Sequence, residues 1–153
     1  VVEDHFNELV IDLVNPAGQP ERMQLVVRGY NDGFAFCYKI PDGKGPCVNV
    51  QSELTAYNFA GDYTAWFYNG ENHNIGPEKL TETDGTRLPV MTVKAGDKHY
   101  MAIHEACLET GAPLVLQSKG GNRSFRSLPS RPVCRRDIHQ PGVSFCMGRY
   151  LAC

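Results

Sequence analysis

His104-Glu105-Ala106 closes an apolar run and offers the most chemically loaded side chains in this 153-residue sequence. A His followed directly by Glu opens the zinc-protease motif, whose second His lies four positions after the first so that both imidazoles share one helical face. Position 108 is Leu108 and the run reads as a strand, so that chemistry is excluded. Glu105 itself stays of interest. Met101, Ile103 and Glu105 fall on one face of a strand, so a carboxylate terminates an apolar stripe. A buried carboxylate needs an arginine, backbone donors or a cation. The alternatives are therefore a structural ion pair, exposure at a strand end, and a metal or catalytic role. One glutamate cannot satisfy Ca²⁺ unaided, because the ion takes roughly six to eight oxygens.

A second candidate is the aromatic run Asp62-Tyr63-Thr64-Ala65-Trp66-Phe67-Tyr68. Trp66 with Tyr63 or Tyr68 forms either a sugar-stacking platform or a piece of core. His73, in Glu71-Asn72-His73-Asn74, is expected to be a solvated loop histidine. Asp32 and Asp62 sit in turn-like contexts, where a carboxylate usually serves the backbone. Cys37, Cys47, Cys107, Cys134, Cys146 and Cys153 contain no C-x-x-C pair, which removes zinc-ligand spacing. Their even number permits disulfides without fixing the pairing, while Cys37 and Cys107 lie in apolar strand contexts that suit buried thiols. Asn122-Arg123-Ser124 matches a glycosylation sequon, relevant only to a secreted eukaryotic protein.

The elements that must position these residues read as β structure. Met23, Leu25 and Val27 alternate with Arg22, Gln24 and Arg28, and Asn31-Asp32-Gly33 is a hairpin signal. The return strand places Phe34, Phe36, Tyr38 and Ile40 on one face, and Pro41 to Pro46 form a loop. Val90, Thr92 and Lys94 alternate with Met91, Val93 and Ala95, then Gly96-Asp97 turns the chain into Lys98 to Ile103. Further strands are expected at Leu9–Val14, Tyr57–Phe59, Asp62–Tyr68 and Pro113–Gln117. Glu71 to Gly85, rich in Asn, Gly, Glu and Thr, reads as an exposed loop with a short helical turn. Helix-period runs are absent beyond about two turns, so the fold class is all-β.

Composition bounds the rest. Apolar residues make up 42% and charged residues 21%, which is globular and enough for one domain. No apolar run reaches the roughly 20 residues of a membrane-spanning helix. The start, Val1-Val2-Glu3, has neither Met nor a signal pattern, so the chain is expected to be processed or to begin partway through a longer protein. The net charge of −2 hides a break. Residues 1–118 hold 8 Lys and Arg against 16 Asp and Glu, whereas 119–153 hold 7 against Asp137 alone. That basic tail lacks the lysines, spacing and motifs of a nucleic-acid-binding arm, so no nucleic-acid partner is expected. It shows no period of strand or helix and reads as coding sequence in the wrong frame, the alternative being a natural basic tail.

At Arg28-Gly29-Tyr30-Asn31-Asp32-Gly33-Phe34-Ala35-Phe36-Cys37-Tyr38 the chain resembles the N-terminal domain of glycoside hydrolase family 97, the alpha-glucosidases and alpha-galactosidases. Arg28 matches the family arginine, and Cys37 stands where a second arginine is usual. Tyr63-Thr64-Ala65-Trp66 resembles the family's Ala-Trp region, and Tyr100-Met101-Ala102-Ile103-His104-Glu105-Ala106 its strand ending in His-Glu-Ala. The three motifs run in order between about Asn7 and Gln117. After Lys119 the family's Thr-Pro-Trp-Arg segment is expected, and Leu128-Pro129-Ser130-Arg131-Pro132 does not match it.

The resemblance implies part of a galactose-mutarotase-like β-super-sandwich over residues 1–118, followed by a non-matching tail at 119–153. It implies a missing (β/α)8 catalytic barrel as partner, a carbohydrate substrate, and Glu105 as one ligand of a Ca²⁺ ion in the intact enzyme. Trp66 and His104 are the expected substrate-binding residues. The catalytic acid and base belong to the barrel, so no catalytic residue and no hydrolysis are expected of this chain alone. A periplasmic or extracellular setting follows from the resemblance only. The alternative function is a free-standing carbohydrate-binding β-sandwich using Tyr63, Trp66 and Tyr68.

Overall fold

The computed structural model describes residues 5–17, 22–40, 49–50, 53–70, 74–106, 113–129, 133–134 and 145–152. Among them the regular elements are all strands: β1 (Asn7–Val14), β2 (Arg22–Tyr30), β3 (Gly33–Ile40), β4 (Asn49–Val50), β5 (Ala56–Asn58), β6 (Thr64–Tyr68), β7 (Asn74–Lys79), β8 (Asp84–Lys94), β9 (Tyr100–Ala106), β10 (Leu114–Lys119), β11 (Ser124–Pro129), β12 (Val133–Cys134) and β13 (Phe145–Ala152). The expected Pro41–Pro46 loop, His73 and Cys107 lie outside the described residues.

One hydrogen-bonded path, β1-β2-β3-β13-β9-β8-β10-β11-β5, carries the chain through two layers, with β6 on β8 and β7 beyond it. β8 makes this possible by its length. Its Asp84–Arg87 half pairs β10, and its Met91–Lys94 half pairs β9. Between them the ladder to β6 slips, Trp66 facing Thr92 but Tyr68 facing Leu88, and Pro89, which has no N–H to donate, sits in the slip. A strand that passes between layers through such an irregularity is how two packed sheets share a corner.

The layers close on a single core. Ala65, Phe67, Met91, Val93 and Ile103 come from one layer, and Tyr57, Leu114, Leu116 and Phe125 from the other. The Phe67 and Phe125 rings meet at 5.6 Å across the sandwich. Period-2 alternation supplies these residues directly: Met91 and Val93 point in while Val90 and Thr92 do not.

Both expected hairpins form. Asn31 and Asp32 make a two-residue turn with Tyr30 opposite Gly33, so Gly33 opens the return strand instead of closing the turn. In the second, Ala95 N–H donates to His99 O at 2.9 Å and Gly96 takes φ +94°. Two expectations change. The stretch read as a loop from Glu71 to Gly85 contains β7, and its Leu80 and Thr83 are fully buried. Gly76 and Pro77 hide that strand, because they interrupt its alternation. The stretch after Lys119, read as lacking a strand period, contains β11, whose Phe125 and Ser127 point inward and Arg126 outward. β11 pairs both β10 and β5, and β13 pairs both β3 and β9.

The far end of the first layer is barer. Leu9, Ile11, Met23 and Phe34 share the face that Phe36 presents to the core, yet they stay exposed, Leu9 at 57%. The opposite face is mixed: Arg28 Nε meets Glu8 Oε2 at 2.7 Å and Gln24 Nε2 meets Asp12 Oδ1 at 2.8 Å, while Val26 and Cys37 lie buried between them.

Candidate functional site

β9 lies between β8 and β13, so both its edges are paired and its side chains alternate between the two faces of the sheet. Ile103 is fully buried on the core side, and Met101 packs against the same cluster. Glu105 continues that stripe and is half-buried at the strand's end, engaged by neighbouring groups. Arg149 of β13 is its register partner. Ala102 and His104 take the other face. His104 Nδ1–H donates to the backbone oxygen of Glu105 at 2.8 Å, because a carbonyl can only accept. In the neutral ring Nε2 is then the acceptor.

Trp66 belongs to His104's side of the sheet. Its register partner is Thr92, whose next neighbour is Ala102, two residues before His104. Strand spacing and rise set the Trp66 and His104 backbones about 12 Å apart. Glu105 projects from the opposite face and lies three residues beyond the level of Trp66, so the three residues do not converge on one point. The Trp66 ring is held from β7: a Cβ on Gly76 would lie 2.6 Å from Ala65 O and 3.0 Å from Trp66 Cδ1, and Gly76 adopts φ +121°. Tyr68 is on the outer side and 41% exposed. Tyr63 instead packs against the core cluster, so the three aromatics do not assemble into one platform.

Asp62, read as a turn carboxylate, is one. It accepts from Thr81 N–H at 3.1 Å and Thr81 Oγ1–H at 3.0 Å, and the Thr81 backbone donor above all holds its carboxyl below the usual range. Cys37 is a buried free thiol. Sequence reasoning missed a second polar cluster. Glu78 Oε2 accepts from Thr83 Oγ1 at 3.1 Å and Arg87 Nη2 at 3.4 Å, with the Arg87 guanidinium 5.9 Å over the Phe67 ring. Its members come from β7, the following turn and β8, and no local spacing announces them. No group of three His, Cys, Asp or Glu side chains able to hold a metal occurs among the described residues. Nor is any helix there long and apolar enough to cross a membrane.

The profile of the Glycosyl-hydrolase 97 N-terminal family matches residues 1–133. The chain belongs to that family. The match runs beyond the composition break at 118 to include the end of β10, all of β11 and the start of β12. Among curated relatives, the chain is 31% identical over 124 residues to a probable retaining alpha-galactosidase of Streptomyces bingchenggensis, covering 80% of this chain and 16% of that one. It is 32% identical over 114 residues to a retaining alpha-galactosidase of Bacteroides thetaiotaomicron, covering 63% and 17%. Among solved structures, a glycoside hydrolase family 97 enzyme of Pseudoalteromonas sp. strain K8 in complex with acarbose superposes with a TM-score of 0.78 at 22% identity, over 99% of this chain and 24% of that one. A single-substitution variant of that enzyme in complex with panose superposes equally well, with a TM-score of 0.78. The family 97 sandwich is thus the fold of this chain, which spans about a sixth of the curated relatives' length.

Proposed function

We propose that this segment serves as the N-terminal sandwich of a glycoside hydrolase acting on alpha-galactosides or alpha-glucosides, shaping the sugar pocket and lending Glu105 to a Ca²⁺ ion. The observation that carries the reading is Glu105 itself, a half-buried carboxylate ending the core-facing stripe of β9 within a chain of this family. Ca²⁺ suits a carboxylate donor, and Glu105 can give at most two of the roughly six to eight oxygens the ion takes. The remaining ligands would come from the catalytic part of the polypeptide. When bound, the ion supplies Lewis-acid polarisation or a template for the catalytic carboxylates.

This chain's own residues do the positioning. His104 is oriented through Nδ1, which fixes the plane of its ring, and in the neutral ring Nε2 is an acceptor of the kind a sugar hydroxyl donates to. At the end of β9 a ligand approaches along the strand direction, where the opposite facing of His104 and Glu105 does not separate them. Trp66, backed by Gly76, would form one wall. The periplasm or cell exterior is the setting this reading takes over from the family resemblance.

The test is a chimera in which this segment replaces the corresponding part of the Bacteroides thetaiotaomicron alpha-galactosidase. The chimera is expected to hydrolyse a nitrophenyl alpha-galactoside in a Ca²⁺-dependent way. Glu105→Gln should raise the Ca²⁺ concentration needed for half activity by roughly tenfold or more, the usual effect of removing one charged ligand contact. An unchanged Ca²⁺ requirement in that variant removes Glu105 from the metal.

A further inference from the structure

The face of the second layer turned away from the core carries a polar depression of about 130 Å³ lined by Gln117, Lys119, Asn122, Ser124 and Arg126. The alternation that buries Leu116, Ser118, Phe125 and Ser127 sends these side chains outward. Gln117 and Arg126 are directly opposed in the ladder, and the same register carried on sets Lys119 opposite Ser124. The two cations therefore occupy one diagonal of a four-residue grid, roughly 7–8 Å apart. An amide and a hydroxyl occupy the other.

The rim is fixed by the turn. Gly120 N–H donates to Thr83 O at 3.1 Å and Gly121 N–H to Thr81 O at 2.7 Å, with both glycines at positive φ. Asn122 bridges the turn, donating to Gly120 O at 3.0 Å and accepting from Ser124 N–H at 2.9 Å. On the flanking strands the register partners are Asp84 and Thr86 on one side, Asn58 and Ala56 on the other. Asp84 is the one carboxylate among them, and its Oδ1 already accepts from Gly85 N–H at 2.9 Å. Neither Lys119 nor Arg126 is in an ion pair among the described residues. This grid presents no aromatic ring, so a neutral sugar has nothing to stack on and charge must do the recognising.

We propose that the outer face of the β10–β11 hairpin binds an oxyanion, a carboxylate or a sulfate group, gripped between Lys119 and Arg126 with Gln117 and Ser124 donating from the sides; that a saccharide carries it rests on the glycoside hydrolase role proposed above. The acidic body around it, 8 basic against 16 acidic residues over 1–118, keeps the positive potential local and repels long polyanions such as nucleic acid. The site is independent of Glu105 and of the metal.

The test is a titration of the 153-residue chain, read by backbone amide chemical shifts at constant ionic strength, with glucuronate, sulfate, acetate and glucose. Glucuronate and sulfate are expected to give saturable shifts at Gly121, Ser124 and Arg126, and glucose none. Lys119→Gln and Arg126→Gln should each weaken binding by roughly tenfold, as loss of one charge-assisted hydrogen bond does. Both positions are exposed, and an unchanged amide spectrum elsewhere confirms that the variants fold. Glucuronate binding tighter than sulfate assigns a uronate, and the reverse a sulfated sugar. Equal affinity for acetate and glucuronate overturns the saccharide part. Shifts that chloride reproduces, or that survive in the double variant, overturn the site.

Discussion

Asp62 shows how a single side chain ties two segments together. Its carboxylate collects both donors of Thr81, Lys79 Nζ donates to its backbone oxygen at 3.2 Å, and Leu80 N–H donates to Tyr63 O at 3.0 Å. The Thr81 bonds favour the ionised form, so the folded chain holds this carboxyl below its ordinary value near 3.8. A group depressed in this way stabilises the fold fully above its ordinary value, and that contribution is lost as pH falls through the lower folded value. Thermal unfolding between pH 5 and 2.5 should therefore show a slope that Asp62→Asn reduces, and an identical slope in the variant would remove Asp62 from the acid sensitivity. Asp62 was legible in the sequence because a turn aspartate acts on backbone close by in space. Glu105 was legible as a carboxylate ending an apolar stripe. The separation of Trp66 from Tyr63 was not, since it depends on where a strand begins: Tyr63 precedes β6 and Trp66 lies within it.

At the scale of elements, the hairpins were readable because each is local: an apolar alternation, a turn, and a second alternation. β7 was not, since its Gly-Pro interruption removes the period while the pairing with β6 restores the strand. β11 was hidden by composition. Its alternation of Ser124, Arg126 and Leu128 with Phe125 and Ser127 is plain once arginine is allowed to face water, but the surplus of basic residues after 118 drew the reading elsewhere. Phe125 decides how much β11 matters. With Phe67 at 5.6 Å and Phe59 at 6.2 Å, it is the second layer's largest fully buried side chain among the described residues. Phe125→Ala should cost about 3–5 kcal/mol, as removal of a buried aromatic usually does. Urea unfolding followed by Trp66 fluorescence measures it. A loss below about 0.5 kcal/mol, the range of surface substitutions, would place Phe125 outside the core.

For the whole molecule, the closed half of the sandwich and the open half behave differently. The core from β5 to β11 is sealed on both sides, whereas the β1–β2–β3 end presents Leu9, Ile11, Met23 and Phe34 to solvent. A contiguous apolar face on an edge hairpin promotes association. The 153-residue chain should self-associate in solution, and the double variant Leu9→Lys, Ile11→Lys should shift it toward monomer. Its stability should change by only about 0.5 kcal/mol per site, because both residues are exposed. Sedimentation and thermal unfolding together check this, and unaltered association in the variant would clear the face of responsibility.

β13 enters the middle of the first layer, antiparallel to β3 on one side and to β9 on the other. Its two neighbours are synthesised well before it. While the ribosome is still adding residues 107–144, β3 and β9 have each found one partner and carry a bare edge toward the other. The hairpins can form as they emerge, but the sheet that joins them closes only when residues 145–152 are free to slot in. Contacts of such long sequence separation form late and slowly, so the nascent chain passes through a stage with two unsatisfied strand edges and has its greatest need of a chaperone just before synthesis reaches β13.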